Sequence, residues 1–281
     1  MKVFSPYSCS TLVMTYLLKN IRLIGRLFFA TATIASGLQQ LIRGDFVRLV
    51  PKLPAWVPSQ SLWVGVSGVG LIIVGLAIAA ERHRRLAALA LSALFAVVFL
   101  LYLPGVIANP GAGFMWTNPC KTLALLGSAI LLAVGPVDNG RPGFFPSGRG
   151  ETWAMPLCSG LMGVFLMVCG VQHFVYADFV AQMVPAWIPG QRVWAAFTGL
   201  ALIAGGVGIN LRPTSRLAAV LSGLMIFLWM VLLHIPRAFA HWPDPGETSG
   251  IFEALALSGT ALMLVPVRKT MARSAGWPAT G

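Results

Sequence analysis

The chain has 281 residues, 57% of them hydrophobic and only 10% charged, with a formal net charge of +12 and a mean hydropathy of +0.80. That much apolar surface exceeds what a soluble domain can bury, so the composition points to a membrane protein. The basic excess then reads as orientation of helices in a bilayer, and nucleic acid is excluded as a partner because no basic groove or RGG-like cluster accompanies it.

Taken in chain order, residues 1–22 carry Lys2, Lys19 and Arg22 around a short apolar patch and no clear cleavage site. They read as a retained cytoplasmic tail or an interfacial helix. Eight apolar stretches of bilayer-spanning length come next. Four lie near Leu23–Ile42, Leu62–Ala80, Leu86–Val106 and Thr122–Val137, and four near Trp153–Tyr176, Val193–Leu211, Leu217–Ile235 and Ile251–Val267. Their many Gly, Ala and Ser residues suit close helix packing. No ten-residue alternation supports a membrane β-barrel. Residues 138–152 are rich in Gly and Pro and read as a cytoplasmic linker, and 269–281 as a cytoplasmic tail. With both termini inside, 14 of the 20 Lys and Arg fall on cytoplasmic segments, so both termini are expected in the cytoplasm.

The two sets of four spans, 23–137 and 153–268, are repeats. Gly37, Gln39, Asp45, Phe46, Val47, Trp56, Gln60 and Trp63 find counterparts in Gly170, Gln172, Asp178, Phe179, Val180, Trp187, Gln191 and Trp194. The first copy carries two extra residues between Val50 and Pro54. Because each repeat has an even number of spans, both share one orientation. The expected fold is an all-α membrane protein of eight transmembrane helices in two tandem four-helix bundles. The Pro-Ala-Trp-(Val/Ile)-Pro blocks fall in the outer loops, where Trp187 and Trp194 suit the interface. A short interfacial helix is expected over the mouth of each bundle.

The titratable groups gather in the second repeat. Gln172 and His173 end its first span, His234, Arg237 and His241 follow its third, and Glu253 opens its fourth. At 1.5 Å rise per residue these groups reach one depth, near the outer boundary of the hydrocarbon. His173, His234 and Glu253 are the catalytic candidates. Gln172, Arg237, His241 and Trp187 are the ligand-binding candidates, with Arg237 expected to pair with Glu253 or hold an anion. In the first repeat Gln40, Tyr102 and Lys121 stand at the matching places and are expected to fill the corresponding space. The bland alternative is interfacial solvation with one ion pair setting helix register. No HExxH or CxxCH occurs, so no metal is expected. The four cysteines form no CxxC; Cys158 and Cys169 lie about 16 Å apart along one helix, too far to bridge. His83, among Glu81, Arg82, Arg84 and Arg85, reads as a solvated loop residue.

At these residues the chain resembles the DoxX-like family of bacterial integral membrane proteins. The resemblance rests on Gly170-x-x-His173-Phe174, on Val184-Pro-x-Trp187-Ile-Pro189, on the span from Thr198-Gly199, and on the basic turn from Arg212 into Ala219. It covers the second repeat and, more weakly, the first. The chain departs from the family at Ala201, Leu202 and Ile203, where an acidic residue is expected. The resemblance implies a multi-pass protein of the bacterial inner membrane. It further implies a redox-associated subunit with a membrane redox partner, and a quinone as a candidate cofactor at the outer pocket. The alternatives are a non-enzymatic small-molecule or lipid carrier, or an assembly partner of another membrane complex.

Overall fold

The computed structural model describes residues 6–135 and 149–266. Residues 1–5 of the expected N-terminal tail, residues 138–148 of the expected linker and the whole expected C-terminal tail lie outside the described residues. Every regular element among them is helical. In order they are α1 (Pro6–Arg43), α2 (Gln60–Ala79), α3 (Arg84–Ala108), a 3₁₀ turn (Gly113–Trp116) and α4 (Thr117–Val134). Then come α5 (Arg149–Val175), α6 (Ala177–Met183), α7 (Gln191–Asn210), α8 (Ser215–Trp229), a π-turn (Met230–His234), α9 (Ile235–Ala240) and α10 (Pro245–Met263). Among the described residues, seven helices, those over the first seven expected spans, are long and apolar enough to cross a membrane. The eighth expected span corresponds to α10, whose Gly, Ser, Thr and Glu residues face other helices instead of lipid. Residues 6–22, expected as a tail, extend α1 to 38 residues, about 57 Å at the usual rise.

The packing order departs from two self-contained bundles. Neighbouring helices run α1–α2–α3–α4–α5–α7–α8–α10 and return to α1, so α4 leans on α5 of the second half and α10 on α1 of the first. α4 and α10 also touch each other. Both are buried along most of their length, whereas α2, α3 and α8 are largely exposed on their outer faces. Small residues explain the close crossings. A Cβ on Gly259 would collide with Gly25 O, and one on Gly25 would meet Gly259 O at 2.7 Å. At the other junction a Cβ on Gly127 would lie 3.2 Å from Cys158 Cα, and the Cys158 thiol donates to Gly127 O at 2.7 Å.

The two Trp-bearing loops differ. The second copy forms the short helix α6, with only Ala181 buried. The first copy has no helix between Arg43 and Gln60. Gly44 at φ +64° ends α1, Pro51 and Pro54 deny the next stretch a helical hydrogen-bond pattern, and Val47, Leu49 and Val50 tuck into the core. What the loops share is their closing turn. Gln60 Nε2 donates to Leu53 O at 3.4 Å and to Val57 O at 3.2 Å. Gln191 Nε2 donates to Val184 O at 3.2 Å, again seven residues back. Trp56 and Trp187 are 82% and 73% exposed, so both stand on the surface of the loop ends.

Candidate functional site

At the Trp-loop end, each half holds the fourth helix of the other through one glutamine. On α1, Gln39 Nε2 donates to Pro245 O at 3.1 Å, and its Oε1 accepts from Ser249 Oγ at 3.1 Å. On α5, Gln172 Nε2 donates to Gly113 O at 2.6 Å, and its Oε1 accepts from Thr117 Oγ1 at 2.8 Å. One turn further out, Arg43 Nη2 donates to Pro243 O at 2.8 Å, while the Tyr176 hydroxyl accepts from Phe114 N at 3.1 Å. The amide side chain suits this place because it offers a donor and an acceptor to a helix start, where backbone groups lack helical partners.

Gly113, Thr117 and Lys121 are spaced by four, as are Pro245, Ser249 and Glu253. The next group inward is therefore Lys121 on α4 and Glu253 on α10. They meet: Lys121 Nζ lies 2.7 Å from Glu253 Oε1, with both side chains about nine-tenths buried. The contact is an ion pair whose angles fall outside those of a hydrogen bond. A buried pair of this kind is weak evidence for stability, since desolvation offsets much of the attraction.

Two aromatic groups flank the pair. The Tyr102 side chain on α3 is within electrostatic reach of Glu253 and Arg48, and its hydroxyl donates to Arg48 O at 3.3 Å. The His234 ring closes the π-turn and lies against Gly250, where an added Cβ would come within 2.9 Å of Nδ1. Glu253, Glu247, Arg237 and Arg48 all lie within its electrostatic reach. The π-turn has a local cause. Pro236 supplies no N–H to the helix, and Ile235 N reaches back five residues to Met230 O. Such widened turns re-aim side chains and recur at functional sites.

The other candidates sit differently. His173 takes Cys169 O through Nδ1 at 2.7 Å and stacks on Trp229 with ring centroids 6.0 Å apart. Trp229 precedes His234 by five residues, so the two histidines are linked through α8 and share no hydrogen bond with each other or with Glu253. Arg237 does not pair with Glu253. Its Nε and Nη2 donate to Glu247 Oε2 at 3.1 Å and Oε1 at 2.5 Å. Arg237 opens α9, one turn past the π-turn, and so faces the start of α10 where Glu247 stands. This bidentate contact holds the Glu247 carboxyl below the usual glutamate range. His241 is exposed, with Nδ1 3.0 Å from Arg237 O. In the first half, Gln40 Nε2 donates to Val64 O at 2.9 Å and to Ser67 Oγ at 2.5 Å on α2. Gln40, Tyr102 and Lys121 therefore do not fill one space of their own; Tyr102 and Lys121 belong to the centre that contains Glu253.

Sequence reasoning missed Gln39, Arg48 and the Lys121 partnership. Lys121 and Glu253 occupy equivalent places in the two copies with opposite charge, and that was the legible signal. The described residues hold no cluster of three or more His, Cys, Asp or Glu suited to a metal ion. Two open grooves lie on the apolar flank of the second half. One, of about 620 Å³, is lined by Phe174, Arg192, Val193, Ala196, Phe197 and Leu200. The other, of about 320 Å³, lies between the 3₁₀ turn and α5, with Trp116, Val171 and Tyr176 in its wall.

No curated protein and no solved structure matches the chain. Residues 29–109 and 162–265 match the family model described as a domain of unknown function, DUF8561. Together these stretches make up more than half of the chain, which therefore belongs to that family.

Proposed function

We propose that the chain is a redox-associated, DoxX-like subunit of the bacterial inner membrane. In this reading it is a duplicated eight-helix protein with both termini cytoplasmic, and its working centre is Lys121–Glu253 with Tyr102 and His234 beside it. The observation that carries the reading is the buried ion pair between equivalent positions of the two halves. Ionisable groups inside a membrane domain are costly and as a rule serve transport, proton relay or ligand binding. Packing alone would be served by apolar residues at both places. His234 is within electrostatic reach of both Glu253 and the outer charges Glu247 and Arg237, so it is the group to pass a proton inward. Arg48, against Gly246, is the group to attract an anion. In this reading the centre keeps His234 and Glu253 of the sequence's catalytic candidates, while His173 stands against Trp229.

The test is co-purification. Wild-type protein extracted in mild detergent is compared with the K121M/E253L variant for bound small molecules, by mass spectrometry and visible spectrum. A species retained by the wild type and lost by a variant of equal thermal stability supports the reading; identical bound species in both overturns it. A second reading, a lipid or small-molecule carrier, is favoured by the groove at Phe174 and Arg192. It expects the retained species to be a lipid and to depend on Arg192 instead of Lys121.

A further inference from the structure

We propose that the groove between α5 and α7 binds one bilayer phospholipid whose headgroup carries both a phosphate and a primary ammonium, as in phosphatidylethanolamine. The groove is the one on which the lipid reading above rests, and the headgroup is what is added. Binding alone is required, without transport.

Small residues make the groove. α5 and α7 cross so closely that a Cβ on Gly170 would meet Gly199 O at 2.7 Å, and one on Gly199 would lie 3.0 Å from Phe174 Cε2. The Phe174 ring is thereby laid against α7 as one wall. On α7 the residues Arg192, Val193, Ala196, Phe197 and Leu200 complete the lining. They recur at helical spacing along about 12 Å of the helix. Ala196, with only a methyl group, leaves the depression between the larger side chains. Trp194 meets Phe197 edge to face, with ring centroids 5.9 Å apart, and braces it. Val193, Phe197 and Leu200 are exposed, and on a membrane-embedded helix such a face meets acyl chains.

The mouth carries a charged pair. Arg192 is the second residue of α7, at the helix end, where the headgroup region begins. Its Nη2 donates to Asp178 Oδ1 at 2.6 Å, and the two side chains are 79% and 73% exposed. An ion pair this exposed contributes little by itself and leaves both heads open to a third group. A guanidinium has five N–H donors, so one contact to Asp178 leaves others for a phosphate, and the carboxylate keeps a second oxygen for a donor. A cation and an anion side by side are the complement of a zwitterionic headgroup. With the phosphate beside Arg192 and the ammonium beside Asp178, the four charges alternate in sign. Phosphatidylglycerol would bring a phosphate without a cation and set it beside Asp178. Phosphatidylcholine has no N–H to donate to the carboxylate.

The first half supplies the control. Leu41 lies against Gly68 as Phe174 does against Gly199, so the crossing is shared. Ser61 and Val66 stand where the second half has Arg192 and Phe197. Asp45, the counterpart of Asp178, turns to its own loop, with Oδ2 3.0 Å from Lys52 Nζ. The scaffold therefore does not require a cation and an anion at the head of this groove.

The test is native mass spectrometry of the full-length protein in mild detergent. Phosphatidylethanolamine, phosphatidylglycerol and phosphatidylcholine of one acyl composition compete for it. One phosphatidylethanolamine per chain is expected to outlast the others. R192Q is expected to lower its retention about tenfold. D178N is expected to erase the preference over phosphatidylglycerol while a lipid stays bound. Both side chains are exposed, so melting temperatures should match wild type. K121M/E253L, which leaves the groove untouched, should keep the preference. A bound lipid that depends on Arg192 but shows no headgroup preference overturns the assignment and leaves the carrier reading standing. The absence of any retained lipid overturns both. Preference for another headgroup, or a preference that R192Q leaves intact, also overturns the assignment. Should a variant fail to fold, the wild-type preference decides alone.

Discussion

The junction of α4 with α5 and that of α10 with α1 are built alike and filled differently. Each has a glutamine holding the start of a helix, a longer side chain one turn outward, and a close crossing at a glycine. Between the pins the contents diverge: Cys120 with Cys169 at one junction, Phe252 with Ser36 at the other, and Lys121 facing Glu253 at the centre. Backbone geometry constrains the pins, because helix starts need partners and close crossings admit no Cβ. It places no such demand on the residues between. The scaffold is therefore common to both halves while the chemistry is particular to each place.

The largest effect is expected at the centre. Lys121→Met or Glu253→Gln alone leaves one buried charge uncompensated and lowers stability by about 3–5 kcal/mol, read as a thermal or denaturant shift in detergent. The swap K121E/E253K should recover most of that loss if the two junctions are as alike as they look. A swap no better than the single variants would break the comparison. Next come the crossings. Gly259→Ala places a Cβ against backbone and is expected to cost about 1–3 kcal/mol. Gly65→Ala and Gly70→Ala, with nothing within 4 Å of the added carbon, should leave the melting temperature unchanged or raise it slightly.

The glutamine pins sharpen the comparison further. Gln39→Leu and Gln172→Leu each remove two hydrogen bonds and should lower stability by similar amounts, about 1–3 kcal/mol. A large inequality would mean that one junction carries the assembly alone. A smaller effect lies in pH. The Glu247 carboxyl is held below its usual range by Arg237, so its contribution is complete above the unfolded glutamate value of about 4.3 and is lost as pH falls through the lower folded value. Replacing Glu247 with Gln should remove that part of the acid sensitivity and leave neutral-pH melting lower and flatter. The smallest effect is expected at the loops: Trp56→Ala and Trp187→Ala, at exposed side chains, should stay within about 0.5 kcal/mol of wild type in detergent.

Reading the sequence located the helices well because bilayer-length apolar runs are a one-dimensional signal. α10 shows its limit, since a helix covered by other helices need not be apolar enough to stand out. The shared glutamines were visible as repeated letters, yet their partners lie about 60 and 210 residues away. Depth along a helix was legible, and His234 and Glu253 do lie within electrostatic reach of each other. Direction around the helix was not. His173 turns to Trp229, and Arg237, on the short helix that follows the π-turn Met230–His234, turns to Glu247.

By itself, the amino-acid sequence determined the helical membrane class, the order and approximate position of the apolar helices, and the two matching Trp-bearing segments. Each comes from composition and periodicity along a single chain. Only the tertiary structure decided that α4 and α10 cross over to the opposite halves. That choice rests on glycine contacts between distant helices. It set which charges face each other, pairing Lys121 with Glu253.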